Sequence, residues 1–104
     1  MSRPEPRLTH QTLKVLRVFL EQPNKALAGS DIWKETGIFS GTLYPILARL
    51  EKAGWLTSSW EAAEPSEVGR PRKRLYRLTG VGQKRALGAF EDLLPAEGRL
   101  GWSY

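Results

Sequence analysis

The sequence predicts a small, mainly helical α+β domain in which three helices precede a β-hairpin and a fourth helix follows it. Three observations predict this order. Apolar residues recur at helical spacing in four segments, the stretches 55–60 and 73–78 have strand composition with a turn-rich segment between them, and the chain has only 104 residues. A chain of this length has room for one hydrophobic core. We therefore expect one domain over 8–94, a flexible N-terminal tail over 1–7 and a C-terminal tail over 95–104.

Two helices are expected first. In the segment 9–21 the apolar residues fall at helical spacing, at Leu13, Leu16, Phe19 and Leu20. Pro23 ends this helix because proline disfavours the helical conformation in the residue before it. The second helix begins at Gly29 or Ser30 and ends at Gly37, which can adopt the left-handed conformation that closes many helices.

The third helix has the clearest pattern. Ser40 is a favourable N-cap residue, Gly54 ends the helix, and apolar residues recur between them at Leu43, Ile46, Leu47 and Leu50. The opposite face has no apolar reason to be buried, and it carries Gly41, Thr42, Pro45, Ala48, Arg49 and Lys52, with Tyr44 at its flank. Pro45 lies beyond the first turn of the helix, where proline costs helical stability. It therefore marks either a functional surface or a tolerated bend of the helix.

A β-hairpin and a last helix complete the expected order. The first strand shows the alternation of Leu56, Ser58 and Trp60. The segment 61–71 holds turn residues and few apolar ones, which predicts a mobile hairpin loop, and strand composition returns over 73–78. Thr79 is the expected N-cap of a helix whose apolar stripe ends at Pro95 and consists of Leu87, Phe90 and Leu94.

The composition argues against several classes of protein. Cysteine is absent and His10 is the only histidine, so neither a disulfide framework nor a thiolate or histidine-rich metal site can be built from one chain. No catalytic cluster is visible, and we predict no enzyme activity, metal or cofactor. No apolar run approaches the roughly 20 residues that cross a bilayer. Residues 1–7 also lack the apolar stretch of a secretory signal, so we expect a cytoplasmic protein without membrane attachment.

The second and third helices form a candidate helix-turn-helix joined by residues 37–39. In this motif the second helix lies in the DNA major groove with its N-terminal residues toward the base edges. Gly41 permits close backbone approach, Thr42 can hydrogen-bond a base or a phosphate, and Arg49 lies further along the same face. Taken by itself, this face is explained equally well as a solvated surface.

A basic run lies at the expected junction between the hairpin loop and the second strand, in a chain of net charge +5. We call residues 69–74 the basic wing, and its candidate DNA-binding residues are Gly69, Arg70, Arg72, Lys73 and Arg74. Such side chains can contact phosphates or enter a minor groove. A solubilising charge cluster and a polybasic membrane patch are alternatives, but the neighbouring helix-turn-helix favours DNA. Three acidic residues precede the wing and either keep it off non-cognate polyanions or are simply solvated, namely Glu61, Glu64 and Glu67.

Two ordered stretches, SGTLYPILARLEKAGWL at 40–56 and GRPRKRLYRLTGVGQ at 69–83, resemble the winged-helix domain of the PadR family of transcriptional regulators. The resemblance covers roughly 8–94. It implies a recognition helix over 40–53 and a DNA-contacting wing over 69–74. The recognition-helix residues that it implies are Ser40, Gly41, Thr42, Tyr44, Pro45 and Arg49.

The resemblance also implies a homodimer on double-stranded DNA with an inverted-repeat operator. In that family a C-terminal helical region forms the dimer and, in some members, part of a ligand pocket, so the resemblance allows a small-molecule effector. Here too few residues follow the last predicted helix for a multi-helix dimerisation region, which is similar to the shorter members of the family. The expected dimer contacts, some of which must belong to the internal core instead, are Val15, Val18, Leu87, Phe90 and Leu94.

These observations together predict a sequence-specific transcriptional regulator, a dimeric repressor with helix 40–53 in the major groove and the basic wing on the flanks. The alternative is a winged-helix module that binds an acidic protein partner without specific DNA binding. A binder of single-stranded nucleic acid or RNA comes third, because it would need bases to stack on exposed aromatic side chains.

Overall fold

The computed structural model of the protein describes residues 5–62 and 64–93. The helices are α1 (His10–Glu21), α2 (Gly29–Thr36), α3 (Ser40–Lys52), the four-residue α4 (Pro65–Val68) and α5 (Gly80–Leu93), and the strands are β1 (Leu27–Ala28), β2 (Leu56–Trp60) and β3 (Arg74–Leu78). This order confirms the predicted helices, hairpin and final helix, and it adds β1 and α4. Leu94 and the C-terminal tail lie outside the described residues.

The ends of α1 and α2 follow local capping chemistry. The Thr9 hydroxyl accepts a hydrogen bond from the Thr12 backbone N–H at 3.1 Å, which satisfies one free amide of the first turn of α1. At the start of α2 the Asp31 carboxylate accepts from the Ala28 backbone N–H at 2.9 Å. At its end Gly37 has φ 73°, the left-handed conformation that the sequence predicted. The Thr9 cap fixes where α1 begins, and the caps at Asp31 and Gly37 fix where the chain enters and leaves α2, the first helix of the helix-turn-helix.

The predicted N-cap of α3 is wrong by one residue. Phe39 has the extended backbone of an N-cap, and its carbonyl accepts hydrogen bonds from the N–H groups of Thr42 at 3.0 Å and Leu43 at 2.8 Å. Ser40 is therefore the first helical residue and does not cap the helix. The helix ends at Lys52, one residue before the predicted boundary, and Gly54 follows with φ 83°.

The sheet has three strands, whereas the sequence predicted a two-stranded hairpin. All neighbours are antiparallel in the order β1-β3-β2. β2 and β3 pair from Leu56 opposite Leu78 to Trp60 opposite Arg74, and Leu27 of β1 lies opposite Tyr76. A strand of two buried residues is too short to show alternation in the sequence, which is why β1 was missed.

The hairpin loop contains one element that the turn composition did not predict. Pro65–Val68 form a single helical turn inside the segment that was expected to be a mobile loop. Proline is favoured in the first turn of a helix, where its missing N–H costs no hydrogen bond. Gly69 closes this turn with φ 69°. The loop therefore has local structure just before the basic wing.

The last helix confirms its predicted cap and packs closely on the first strand of the hairpin. The Thr79 hydroxyl accepts from the Gly82 backbone N–H at 2.9 Å and donates to the Gly54 carbonyl at 2.7 Å. Gly82 lies directly on the backbone of Trp55, which is itself buried. Apolar side chains from α1, α2 and α3 form the centre of the core, with Leu16, Phe19, Ile32, Leu43, Leu47 and Leu50 almost completely buried. In the part of the chain described, no helix is long and apolar enough to cross a membrane.

Candidate nucleic-acid interface

Helix α3, the predicted recognition helix, separates its two faces as the sequence predicted. Its apolar face enters the core through Leu43, Ile46, Leu47 and Leu50. The predicted contact residues of the other face are all exposed, namely Ser40, Gly41, Thr42, Tyr44, Pro45 and Arg49. An amphipathic helix of this kind presents a continuous polar surface without weakening the core.

The N-terminal end of α3 is open to a large ligand. A Cβ placed on Gly41 would have no atom within 4 Å, so nothing in the fold requires glycine there. The amides of a first helical turn lack partners within the helix and carry partial positive charge, which makes this end attractive to phosphate. Pro45 lacks the N–H that would otherwise reach the Gly41 carbonyl, four residues earlier, and so leaves that exposed turn with one fewer hydrogen bond.

Tyr44 has a structural contact in addition to its exposed surface. Its side chain keeps 46% of its surface exposed, yet the phenol lies across Gly29 at the start of α2. A Cβ on Gly29 would collide with the Tyr44 hydroxyl and lie 2.8 Å from Cζ. Gly29 thus allows α2 and α3 to approach, and Tyr44 contacts α2 while its outer edge stays exposed.

Sequence reasoning missed an aromatic surface beside the start of α3. Phe39 is 74% exposed although it is a large apolar residue, and Trp33 is 45% exposed. Together with Tyr44 and Leu43 they line an open groove between α2 and α3. The sequence placed Phe39 only in the turn over 37–39 and gave Trp33 no role in DNA binding. The exposure of Phe39 follows from its position at the N-cap, where the chain turns away from the core.

The tip of the hairpin carries a paired arginine. Arg70 donates to both carboxylate oxygens of Glu61, from Nη1 at 2.6 Å and from Nη2 at 3.1 Å. The same carboxylate accepts from the backbone N–H of Lys73 at 3.3 Å, and the Glu61 N–H donates to the Lys73 carbonyl at 2.8 Å. The hydrogen bonds from Arg70 lower the pKa of Glu61 below the usual value, and the Glu61 carboxylate raises the pKa of Arg70.

Two other basic residues of the wing, Arg72 and Arg74, are also held in place by side-chain contacts. Arg72 forms an ion pair with Glu64 at 2.8 Å. The Arg74 guanidinium lies over the ring of Trp60, 5.0 Å from its centroid, and its Nε donates to the Ser58 hydroxyl at 3.1 Å. The sequence identified the basic residues of the wing, and the structure brings them together at one end of the hairpin. The sequence did not predict which acidic residues pair with these basic residues.

A polar connection joins the hairpin to the recognition helix. The Ser58 hydroxyl, which accepts from Arg74, donates to the Glu51 carboxylate of α3 at 2.5 Å. Tyr76 lies nearby in the adjacent strand, where burial raises the pKa of its hydroxyl and the negative charge of Glu51 adds to the effect. These contacts fix the position of the basic end of the sheet relative to α3.

The predicted dimer contacts divide between the core and the surface. Val15 and Val18 are buried within the single chain, so these two belong to the core of α1 and have almost no surface for a partner. Leu87 is 45% exposed, and Phe90 is half-buried against the core. The helices α1 and α5 pack against each other, and Leu87 of α5 keeps an exposed apolar surface. Leu94 lies outside the described residues.

The described residues contain no group of three or more His, Cys, Asp or Glu side chains that could hold a metal ion. The geometry instead combines an exposed helical face, a free helix N-terminus and a basic hairpin. This arrangement suits a large anionic partner with grooves rather than a small substrate.

Comparison with known proteins agrees with this geometry. Residues 15–87 match the model of the family described as the transcriptional regulator PadR-like family, which consists of regulators and not enzymes. Comparison with curated proteins gives no match at the level of sequence.

Solved structures share the fold. AbfR of Staphylococcus epidermidis is 26% identical with a TM-score of 0.69 over 86% of this chain, and the chain spans only 58% of the length of AbfR. The protein smu.1704 from Streptococcus mutans UA159 is 29% identical with a TM-score of 0.62, over 85% of this chain and 80% of its own. A PadR family transcription regulator from Clostridium difficile R20291 is 21% identical with a TM-score of 0.66, over 81% of this chain and 86% of its own. AbfR in its reduced form also has a structure bound to DNA.

Proposed function

Because the chain belongs to the PadR-like family of transcriptional regulators, we propose that it is a sequence-specific DNA-binding repressor that acts as a homodimer in the cytoplasm. The observation that carries the proposal is the exposed polar face of α3 beside a basic hairpin. In this arrangement α3 enters the major groove with Gly41 and Thr42 toward the base edges. Arg49, further along the helix, contacts the flanking phosphates.

The basic wing supplies the sequence-independent part of binding. Arg72, Lys73 and Arg74 lie on the hairpin that is joined to α3 through Ser58 and Glu51. Contacts to phosphate fix register and orientation, and they make affinity depend on salt because counterions are released. The connection to α3 keeps the wing at a constant distance from the helix, so both elements can contact one duplex.

We propose that the dimer forms through α5 and the edge of its contact with α1. Leu87 offers exposed apolar surface on α5, and Phe90 is half-buried against the core. Leu94, the third residue of the predicted apolar stripe, lies outside the described residues. A two-fold dimer places two copies of α3 about one helical turn of DNA apart, which requires an inverted repeat. The domain over 8–94 is sufficient for this function, with the segments 1–7 and 95–104 as tails. A small-molecule effector, as in some relatives, would act by changing the spacing of the two recognition helices.

The experiment that tests this proposal is the selection of bound fragments from a random duplex pool at about 150 mM salt, followed by sequencing. We expect enrichment of an inverted repeat with half-sites roughly one helical turn apart. The variant Leu87→Glu serves as the control, because it should lose the paired half-sites while α3 is unchanged. Failure to enrich any sequence would refute specific DNA recognition.

The second candidate is a module that binds an acidic protein partner. The observation that favours it is the exposed aromatic surface of Phe39 and Trp33, since large apolar residues of this kind are typical of protein interfaces. Duplex binding separates the two candidates. A protein-binding module would show only charge-driven association that vanishes as salt rises, with no preferred sequence.

A further inference from the structure

The most specific contact of the basic wing is made with Glu61, an acidic residue that precedes the wing in the same hairpin. Arg70 uses both terminal nitrogens on the two oxygens of Glu61, and Nη1 also donates to the Pro71 carbonyl at 3.1 Å. This bidentate geometry is the one that arginine also uses to bind a phosphate group. The carboxylate therefore occupies the same donors that a DNA phosphate would need.

Glu61 is well placed to hold this contact in the free protein. Its side chain is only 20% exposed, and the backbone pairing with Lys73 anchors it at the closing end of the hairpin. Arg70 is 38% exposed, so its guanidinium is still accessible from solvent. Like any glutamate carboxyl of ordinary or lowered pKa, that of Glu61 is ionised at neutral pH, and the hydrogen bonds from Arg70 lower its pKa further. The partner of Arg70 is thus permanent in charge and fixed in position.

We propose that Glu61 is an affinity-determining residue of the DNA interface, which competes with the DNA phosphate for Arg70. Duplex binding exchanges the Glu61 carboxylate for a phosphate oxygen on the same guanidinium. The exchange has a cost, so the wing binds DNA less tightly than its number of arginines indicates. This inference rests on the proposed DNA-binding function, and it assigns a role to an acidic residue within a basic surface.

The test is a double-mutant cycle on duplex affinity. Glu61→Gln retains an oxygen for the Lys73 N–H but loses the charge that holds Arg70. We expect it to tighten binding of the selected duplex roughly two- to five-fold, the range that exposed ion pairs carry. The dependence of affinity on salt should also become steeper, because Arg70 then releases counterions from a phosphate. In an Arg70→Gln background the same substitution should have no further effect.

Glu67→Gln is the matched control. It removes the same charge from the same acidic segment, and Glu67 is exposed. It should change affinity much less than Glu61→Gln does. Equal gains from both variants would show that only net charge matters, and weaker binding by Glu61→Gln would show that Glu61 positions Arg70 for DNA. Either result overturns the proposal, as does a gain that persists without Arg70.

A second measurement needs no substitution. The side-chain carboxyl carbon of Glu61, followed by NMR in the wild-type protein, should change its chemical shift when duplex is added, and that of Glu67 should not. An unchanged Glu61 signal at saturation would refute the exchange. If selection yields no preferred sequence, the proposed sequence-specific function fails. The double-mutant cycle of Glu61 and Arg70, measured on an arbitrary duplex at low salt, still decides whether Glu61 competes with phosphate for Arg70.

Discussion

Gly82→Ala should destabilise the protein, although alanine is the better helix former. Gly82 is buried in α5, and a Cβ there would collide with the Trp55 carbonyl oxygen and lie 2.8 Å from the carbonyl carbon. The atoms that the Cβ would meet belong to the Trp55 backbone. The Thr79 hydroxyl donates hydrogen bonds to the carbonyls of Gly54 and Trp55, which prevent this backbone from moving away from α5. Replacing glycine within a helix gains about 1 kcal/mol of helix propensity, whereas overpacking costs about 1–3 kcal/mol.

Gly88→Ala, in the same helix, isolates the collision. A Cβ at Gly88 meets nothing within 4 Å, so this variant should gain about 0.5–1 kcal/mol from propensity alone. Because both substitutions gain the same propensity, their difference in the free energy of unfolding should equal the overpacking cost of about 1–3 kcal/mol. That corresponds to a difference of about 4–24 °C in Tm for a domain of this size. Urea and thermal unfolding at one protein concentration measure it, and a Gly82→Ala variant as stable as Gly88→Ala would refute the close packing of α5 on Trp55.

Three further predictions concern the caps, the helix N-terminus and the wing. Thr79→Ala should lower the free energy of unfolding by about 1–2 kcal/mol, since it removes the α5 cap and the bond to Gly54, and urea unfolding checks this. Gly41→Ala should leave Tm unchanged or higher but weaken binding to the selected duplex, measured by fluorescence anisotropy; unchanged affinity would argue against close approach at this residue. NMR titration should find the pKa of the Glu61 carboxyl below the usual value of a glutamate, and Arg70→Met should return it toward the usual range. A lowered pKa means that the ion pair stabilises the fold above the unfolded-state pKa of glutamate, and that this contribution is lost as pH falls through the lowered value.

The sequence predicted those parts of the fold that depend on local chemistry. The caps at Gly37 and Thr79 and the apolar spacing of α3 act within a few residues, so they can be recognised without the fold. β1 was missed because its two residues become a strand only by pairing with β3, which is distant in the chain. The N-cap of α3 shifted to Phe39 because backbone geometry at the turn outweighed the preference of a serine side chain.

The candidate site shows the same division. Exposure of Gly41, Thr42 and Arg49 follows from helical periodicity and could be predicted. The pairing of Arg70 with Glu61 could not, because it depends on the register that brings Glu61 opposite Lys73 in the hairpin. The division of the predicted dimer residues was also open, since periodicity alone cannot say whether Val15 packs inside the chain or against a partner.

The most direct test of the account compares two variants on two duplexes. The affinities of wild type, Thr42→Ala and a variant with Arg70, Arg72 and Arg74 all changed to Gln are measured over a range of salt, on the selected duplex and on a permuted one. We expect the triple variant to weaken binding to both duplexes and to flatten the salt dependence, because it loses phosphate contacts. Thr42→Ala should weaken binding only to the selected duplex. Equal loss on both duplexes from Thr42→Ala would contradict the claim that the exposed face of α3 recognises DNA sequence.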